Sequence, residues 1–289
     1  MKLITFDEGR VGRIDGDDVV ELDIPSTKAY FEAEGRVGET GEVVALDSVR
    51  LRAPIVPKKF FHTAGNFAAH HEELQKVNWS HPVHKGIVFF QNVDAIIGPE
   101  DPIVYPEHLT SELDYELELA VILGKPGKFF SPEEAWDHIA GFTVFNDITA
   151  RDIQRREMKS GVFSFSKGID TFCPIGPWIV TKDEIDDPQK LAMELRVNGE
   201  VRQRGNTDQM LVTLPHLVAY HSPQIFSAGD IITTGTISGV AAIQENPFDF
   251  YLRPGDVVEA EIDGVGTLRN PVVSWQDAYG VPAPAKVDW

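Results

Sequence analysis

The chain has 289 residues, of which 42% are hydrophobic and 25% are charged, and its 26 basic against 45 acidic residues give a net charge of -19. This composition predicts a globular protein with a substantial core, and the negative charge disfavours binding to nucleic acid or to an anionic membrane surface. The single cysteine, Cys173, excludes an internal disulfide, and no segment has the roughly 18 uncharged apolar residues that span a bilayer. The first residues lack the apolar stretch of a secretory signal, so we expect a cytoplasmic protein.

Short β-type segments dominate the chain, and three pairs of them are joined by two-residue turn signals. These signals are Asp15-Gly16, Asn198-Gly199 and Asp263-Gly264. Such dipeptides favour the tight turns of β-hairpins, which predicts a sheet that is largely antiparallel or mixed. Strands and helices do not alternate regularly, so we expect neither a doubly wound sheet nor a (β/α)₈ barrel.

A Pro-bearing stretch at residues 52–57 is typical of a linker. It predicts a small N-terminal β-rich module, residues 1–55, ahead of a larger domain, residues 56–289. Within the larger domain, Ser131 and Glu134 predict a capping box, with proline at the first helical position. Thr149, followed by an acidic residue three positions later, predicts a second helix over residues 150–159.

An acidic alternation stands in the otherwise apolar segment 113–120. Because successive side chains of a β-strand point to opposite faces, Glu116 and Glu118 should share one face while Tyr115, Leu117 and Leu119 pack on the other. Taken alone, such an alternation is more often the solvated face of an edge strand. The strand continues with four apolar residues, however, which indicates burial on both faces and carboxylates that need a cation.

Asp147 ends the next apolar segment and is the third candidate ligand. Three oxygen donors without a nearby cysteine favour Mg²⁺, Mn²⁺ or Ca²⁺ over zinc. They also leave about half of an octahedral shell open to water or substrate, as catalysis requires. Arg151 and Gln154 lie four and seven residues after Asp147, so a helix would place both on the side nearest that aspartate. The alternative for Arg151 is a position on a solvated face of that helix.

Two further groups could serve such a site. Lys167 lies close to Phe163, Phe165 and Gly168, which indicates a lysine held near buried surface and able to stabilise developing negative charge beside a metal. Upstream, a helix would make His70 and Glu73 neighbours at i,i+3. A carboxylate bonded to one ring nitrogen makes the other a better base, although a surface ion pair is the alternative interpretation.

Taken together, these motifs resemble the fumarylacetoacetate hydrolase superfamily over roughly residues 57–273. Five blocks in the expected order make the resemblance specific. They are the lid segment Asn66-Phe67-Ala68-Ala69-His70-His71-Glu72-Glu73, the metal strand Asp114-Tyr115-Glu116-Leu117-Glu118-Leu119-Ala120, the segment of the third ligand 146–154, Ser166-Lys167-Gly168-Ile169-Asp170-Thr171, and the glycine-rich segment 229–239.

The resemblance implies a mixed α+β fold with a β-roll or sandwich-like catalytic domain, which is usually a homodimer and binds Mg²⁺ or Mn²⁺, with Ca²⁺ possible in a crystal. The residues that match the family's functional positions are the metal ligands Glu116, Glu118 and Asp147, the lid pair His70 and Glu73, the lysine Lys167, the polar oxyanion contacts Arg151 and Gln154, and the substrate-carboxylate threonine Thr236. Two departures are Phe67, which replaces the lid tyrosine, and Gln91-Asn92, which replaces a frequent Lys-Pro.

With this resemblance, we expect a divalent-metal-dependent hydrolase, with a place in aromatic catabolism, that cleaves a carbon-carbon bond of an acylpyruvate or related 2-oxo acid. The metal would stabilise a pyruvate enolate while His70, oriented by Glu73, activates water. The same enolate would serve a decarboxylase or isomerase acting on oxaloacetate-like or 2-hydroxy-diene-dioate acids. A non-catalytic module that binds organic acids, and an interaction protein with a solvated acidic patch, are further alternatives. The expected partners are a small anionic 2-oxo acid and a second copy of the chain.

Overall fold

The structure, a computed structural model, describes residues 1–76, 87–162 and 164–286. The strands in these residues are β1 Lys2–Phe6, β2 Arg10–Asp15, β3 Asp18–Leu22, β4 Glu39–Ala45, β5 Leu51–Arg52, β6 Phe60–Ala64, β7 Ile87–Phe90, β8 Ile96–Ile97, β9 Ile103–Tyr105, β10 Leu113–Asp114, β11 Leu117–Leu123, β12 Ile139–Asn146, β13 Thr149–Ala150, β14 Cys173–Thr181, β15 Ala192–Val197, β16 Glu200–Asn206, β17 Ile231–Thr233, β18 Val257–Ile262 and β19 Gly266–Ser274. The helices are α1 Thr27–Glu32, α2 Ala68–Lys76, α3 Pro132–His138, α4 Arg151–Glu157, α5 Leu214–His221 and α6 Trp275–Tyr279.

A large mixed sheet is the main layer of the fold. Its strand order is β4-β3-β2-β1-β14-β12-β11-β17-β6-β7, with β5 on β1 and β8 on β14. Most neighbours are antiparallel, whereas β6 with β17 and β8 with β14 are parallel. A second sheet has the order β16-β15-β18-β19-β9, and β10 pairs with β13. The predicted mixed α+β fold is confirmed, and the three predicted turns join β2 to β3, β15 to β16 and β18 to β19.

The N-terminal strands extend the same sheet that carries the central strands. In β1, Lys2 is paired with Val180 and Leu3 with Ile179, both of which lie in β14. Strands from both sides of the predicted boundary at residue 55 therefore share one hydrogen-bonded sheet. The division into residues 1–55 and 56–289 stays a prediction.

Strand β11 lies between two apolar clusters, and this arrangement places the acidic residues. Leu119 and Val121 pack in one cluster, while Ala120 and Ile122 pack in the other. Since side chains alternate along a strand, Glu118 shares the face of Ala120 and Ile122. The acidic residues thus stand at the start of a strand that is buried on both faces, as expected from its sequence.

One of the two predicted helix starts is confirmed and the other is wrong. Ser131 and Glu134 form the predicted capping box at the start of α3. Thr149, in contrast, lies in β13, where its backbone pairs with Asp114, and α4 begins only at Arg151. The Thr149 hydroxyl donates to the carbonyl of Asp147, two residues earlier in the chain. Thr149 is therefore an extended residue that precedes the helix, and it does not act as the expected helix N-cap. Among the described residues, no helix has both the length and the apolar character needed to cross a bilayer.

Candidate metal centre and active site

The ends of two neighbouring strands bring three carboxylates together. Glu118 lies on β11, Glu116 directly precedes that strand, and Asp147 directly follows β12. β11 and β12 are antiparallel, with Leu117 opposite Asn146, and the amide of Asp147 donates to the carbonyl of Glu116 over 2.8 Å. As a result, one carboxylate oxygen from each of the three acids lies within 4.8 Å of the others. All three side chains are buried.

The hydrogen bonding of this cluster fits a hard divalent cation. Asp147 Oδ1 is buried and has no hydrogen-bond partner in the described part of the chain. An anionic oxygen without a donor is costly in the interior, and a metal ion would compensate it. Glu118 Oε2 accepts from the amide of Gly235 at 3.0 Å, which orients this carboxylate. Oxygen-only donors of this kind suit Mg²⁺, Mn²⁺ or Ca²⁺.

Lys167 is buried against two of the three acids. Its ammonium donates to Glu116 Oε2 at 2.8 Å, to Asp147 Oδ2 at 2.5 Å and to Thr149 Oγ1 at 2.8 Å. Burial lowers the pKa of this lysine, but Asp147 and Glu116 outweigh that effect and raise the pKa above its ordinary value. The lysine is therefore a fixed positive charge beside the cluster, as its sequence context indicated. Phe163, one of its aromatic neighbours in sequence, lies outside the described residues.

Arg151 and Gln154 lie on the other side of Glu116. The guanidinium of Arg151 pairs with Glu116 Oε1 at 2.6 Å and donates to Asp114 Oδ2 at 2.7 Å and to Gln154 Oε1 at 2.9 Å. The predicted proximity of Arg151 and Gln154 is thus present, but Arg151 pairs with Glu116 rather than with Asp147. Burial lowers the pKa of Arg151, and the charges of Asp114 and Glu116 reverse this and raise it.

The pKa values of the two glutamates are shifted in opposite directions. Burial alone would raise the pKa of Glu116, but the charges of Lys167 and Arg151 lower it to about 2. For Glu118, burial and the negative charges of Asp147 and Glu116 all raise the pKa well above its ordinary value. At Glu118, burial and the two neighbouring acids therefore outweigh the charge of Lys167, and a cation bound there would relieve the repulsion.

His70 and Glu73 lie on α2, close to one wall of the site. His70 Nδ1 is 3.7 Å from Glu73 Oε2, which is close enough for ionic attraction but too long for a hydrogen bond. A positive charge on His70 would lower the pKa of Glu116, so the imidazole lies near the carboxylate cluster. Glu73 also accepts from the amide of Gly239 at 3.2 Å. The pair is buried or half-buried rather than a solvated surface pair.

Thr236 lies beside the metal strand, and its hydroxyl already has partners. It donates to the carbonyl of Leu117 at 3.0 Å and accepts from Gln203 Nε2 at 3.0 Å. Gln203 in turn accepts from the amide of Leu117 at 2.9 Å. A substrate carboxylate that used this hydroxyl would have to displace the bond to Leu117. The predicted contact of Thr236 with substrate stays a prediction.

Sequence reasoning missed four residues of this site. Asp114 accepts a hydrogen bond from Arg151, Thr149 accepts one from Lys167, and Gln203 donates one to Thr236. The fourth residue is the fully buried His62, whose Nδ1 lies 3.4 Å from Asp147 Oδ2. A histidine in the apolar strand β6 was a signal for the last of these, because a buried imidazole needs a polar partner. The other three depend on pairing between distant segments, which their local sequence does not reveal.

Taken together, a buried Glu-Glu-Asp cluster flanked by a lysine and an arginine defines a candidate divalent-metal centre on a mixed-sheet fold. The family model for the C-terminal domain of fumarylacetoacetate (FAA) hydrolase matches residues 59–273. The chain is also 40% identical over 249 residues to the mitochondrial oxaloacetate tautomerase fahd2 of Xenopus laevis, covering 85% of this chain and 75% of that protein. The chain therefore belongs to the fumarylacetoacetate hydrolase family.

Solved structures agree with this assignment. Fumarylacetoacetate hydrolase from the psychrophilic Exiguobacterium antarcticum superposes with a TM-score of 0.80 at 33% identity, covering 95% of this chain and 99% of that one. Maleylpyruvate hydrolase from Sphingobium sp. SYK-6, in complex with manganese(II) and pyruvate, superposes with a TM-score of 0.74 at 28% identity and the same coverage. The similar proteins thus include one that is named an oxaloacetate tautomerase and two hydrolases whose structures have the fold of this chain.

Proposed function

We propose that the protein is a divalent-metal-dependent tautomerase that interconverts the keto and enol forms of oxaloacetate or a closely related 2-oxo diacid. The observation that carries this proposal is the convergence of Glu116, Glu118 and Asp147 next to the fixed charge of Lys167. The oxaloacetate tautomerase of Xenopus laevis supports the choice of reaction, because it is similar to this chain over most of its length. Mg²⁺ or Mn²⁺ is the proposed ion, and the three acids would hold it.

Keto-enol interconversion moves one proton between C3 and the oxygen on C2 of the acid. When bound, the divalent ion supplies Lewis-acid polarisation of the C2 oxo group, which lowers the cost of removing the C3 proton. Lys167 and Arg151 supply fixed positive charge that stabilises the negative charge growing on the C2 oxygen. Because both are held by buried carboxylates, they need no reorganisation as the reaction proceeds.

His70 is the proposed base that takes the C3 proton and returns it to the oxygen. Glu73 lies on the Nδ1 side of the imidazole, so Nε2 is left for the substrate. His70→Ala should keep the fold and the metal while kcat falls about 10²–10⁴-fold, the usual contribution of a general base. Unchanged turnover in this variant would remove His70 from the mechanism.

A substrate panel tests the reaction class. We expect the Mn²⁺-loaded protein to accelerate loss of the ultraviolet absorbance of enol-oxaloacetate without forming pyruvate or carbon dioxide. Release of carbon dioxide together with pyruvate would indicate a decarboxylase instead. Turnover of none of these acids would contradict the whole enzymatic proposal.

Carbon-carbon hydrolysis of an acylpyruvate is the second candidate, and the His70-Glu73 pair favours it. A histidine held next to a carboxylate beside a metal centre could equally activate water against a distal carbonyl. The structural similarity to maleylpyruvate hydrolase also supports this candidate. Formation of pyruvate plus a carboxylic acid from acetylpyruvate, with a kcat/KM above that for oxaloacetate, would establish hydrolysis as the main activity. The place in aromatic catabolism stays a prediction.

We also propose that the protein is a homodimer and that it is located in the cytoplasm. The similar protein from Xenopus laevis is named as mitochondrial, so fractionation of cells that express the chain is the test of the compartment. Sedimentation equilibrium of the purified protein measures the assembly directly; a monomer at micromolar concentration would contradict the homodimer.

A further inference from the structure

Two neighbouring amide side chains hold the backbone of the segment that carries Lys167. Gln91 Nε2 donates to the carbonyl of Lys167 at 3.0 Å, and Asn92 Nδ2 donates to the carbonyl of Gly168 at 3.0 Å. Gln91 and Asn92 directly follow β7, a strand of the large sheet. We call these two residues the amide clamp.

The clamp itself is held in place by local hydrogen bonds. The amide of Asn92 donates to Gln91 Oε1 at 2.9 Å, and the amide of Asp94 donates to Asn92 Oδ1 at 3.2 Å. Each side-chain oxygen is therefore engaged, which directs each NH₂ group towards the Lys167 segment. Gln91 is buried, so its bond to the Lys167 carbonyl is shielded from water.

The Lys167 segment needs such support because it has little regular structure of its own. Lys167 ends a single 3₁₀ turn, Phe165–Lys167. On its other side the turn is held by Glu157, whose carboxylate accepts from the amides of Phe165 and Ser166 at 3.1 and 2.9 Å. The segment thus lies between the end of α4 and the clamp. A Cβ at Gly168 would lie 3.2 Å from the carbonyl of Ser164, which is a tight contact within the turn itself, and 3.4 Å from Asn92 Cβ, which is an ordinary one.

We propose that Gln91 and Asn92 are positioning residues that set the ammonium of Lys167 against Glu116 and Asp147. This inference rests on the proposed function, in which Lys167 stabilises charge on the C2 oxygen. The clamp acts on the backbone of Lys167 and of the adjacent Gly168. Displacing a catalytic group by about 1 Å can lower the rate about 10²-fold, so two hydrogen bonds to this backbone matter for turnover.

Gln91→Met is the sharpest test, because it removes the side-chain amide of Gln91, both its NH₂ donor and its carbonyl acceptor, at nearly constant size and adds no charge near the site. We expect kcat to fall about tenfold or more with KM and Mn²⁺ affinity changed less than about threefold. In the metal-free protein, hydrogen exchange of the amides in residues 164–170 should become about tenfold faster, with exchange elsewhere unchanged. Gln276→Met, at an exposed amide on α6, is the matched control and should leave all of these quantities unchanged.

A double-mutant cycle distinguishes positioning from general destabilisation. In a Lys167→Met background, Gln91→Met should lower kcat by less than about twofold, because the group that it positions is already gone. Asn92→Ala is the second variant if Gln91→Met does not fold, since Asn92 is exposed, and it should give a smaller change in the same direction. Wild-type kcat and wild-type exchange of residues 164–170 in a folded clamp variant would overturn the inference. If instead Lys167→Met alone keeps wild-type kcat, the proposed role of Lys167 fails.

Discussion

At the residue scale, Glu116 and Glu118 show how neighbouring groups can differ in charge state. They lie two positions apart, yet Lys167 and Arg151 lower the pKa of Glu116, whereas burial, Asp147 and Glu116 raise the pKa of Glu118. In the metal-free protein, Glu118 therefore retains a proton to higher pH than an ordinary glutamate. A cation requires the carboxylate form of Glu118, so metal binding and loss of this proton are linked.

The first prediction concerns the pH dependence of metal binding. Below the raised pKa of Glu118, binding of Mn²⁺ should release up to one proton, so the affinity should increase with pH by up to about tenfold per pH unit. Isothermal titration calorimetry in two buffers with different ionisation enthalpies counts the released protons. Equal affinity at pH 6 and pH 8, with no proton release, would show that Glu118 is already ionised in the free protein.

The second prediction concerns the stability of the metal-free protein. A carboxyl group whose folded pKa is raised contributes its stability below its unfolded pKa and loses it as the pH rises through the folded pKa. Glu118→Gln removes this ionisation, so at alkaline pH the metal-free variant should have a higher Tm than the metal-free wild type. Each kcal/mol gained in the free energy of unfolding should raise the Tm by about 2–4 °C. Differential scanning calorimetry at pH 6 and pH 8 measures the effect, which should shrink at the lower pH. If the metal-free variant has a lower Tm than the wild type at pH 8, the raised pKa of Glu118 is contradicted.

At the element scale, the loop after β17 links the carboxylate cluster to α2. The amide of Gly235 donates to Glu118, and the amide of Gly239 donates to Glu73 on α2. Both glycines have positive φ, +83° and +103°. A Cβ at Gly239 would lie only 2.4 Å from the carbonyl of Arg202, so this position combines an unfavourable backbone angle with a close backbone approach.

The third prediction tests that loop. Gly239→Ala should lower the free energy of unfolding by about 1–3 kcal/mol or more, because the loop must move away from the carbonyl of Arg202. It should also lower turnover, because this movement disturbs the bond from the Gly239 amide to Glu73. Urea denaturation and steady-state kinetics measure the two effects. Gly16→Ala is the matched control, since Gly16 also has positive φ, +63°, but no atom lies within 4 Å of its Cβ position. If both variants lose equal stability, the close approach at Gly239 has no energetic consequence.

How much the sequence could predict also differs between elements. Alternation along β11 correctly predicted that Glu116 and Glu118 share a face, and the capping box at Ser131 needed only local bonds. The helix start at Thr149 was predicted wrongly, because its pairing with Asp114 joins residues far apart in the chain. The same limit hid the partners of Lys167 and Arg151: local patterns predict an element, but its neighbours depend on tertiary packing.

At the scale of the whole molecule, the N-terminal strands are joined to the centre of the large sheet. β1 pairs with β14, β14 pairs with β12, and β12 pairs with β11, which carries Glu118. Leu3, Ile4 and Phe6 of β1 are fully buried. Removing these strands would leave an unpaired, apolar edge on β14.

The fourth prediction follows from this continuity. A variant that lacks residues 1–55 should aggregate or have a Tm at least 10 °C below that of the full chain, a rough figure for the loss of several buried side chains. Circular dichroism and size-exclusion chromatography of the truncated chain measure this. A soluble truncated chain with an unchanged Tm would instead establish residues 56–289 as an independent domain.

The central claim is that Glu116, Glu118 and Asp147 together hold one divalent ion that the reaction needs. Titration of Mn²⁺ into chelator-treated protein, followed by calorimetry and by the enol-oxaloacetate assay, tests it most directly. We expect one ion per chain, turnover that rises in proportion to occupancy, and affinity weakened about 100-fold or more in Glu116→Gln and in Asp147→Asn. Turnover without metal, or wild-type affinity in both variants, would contradict the account.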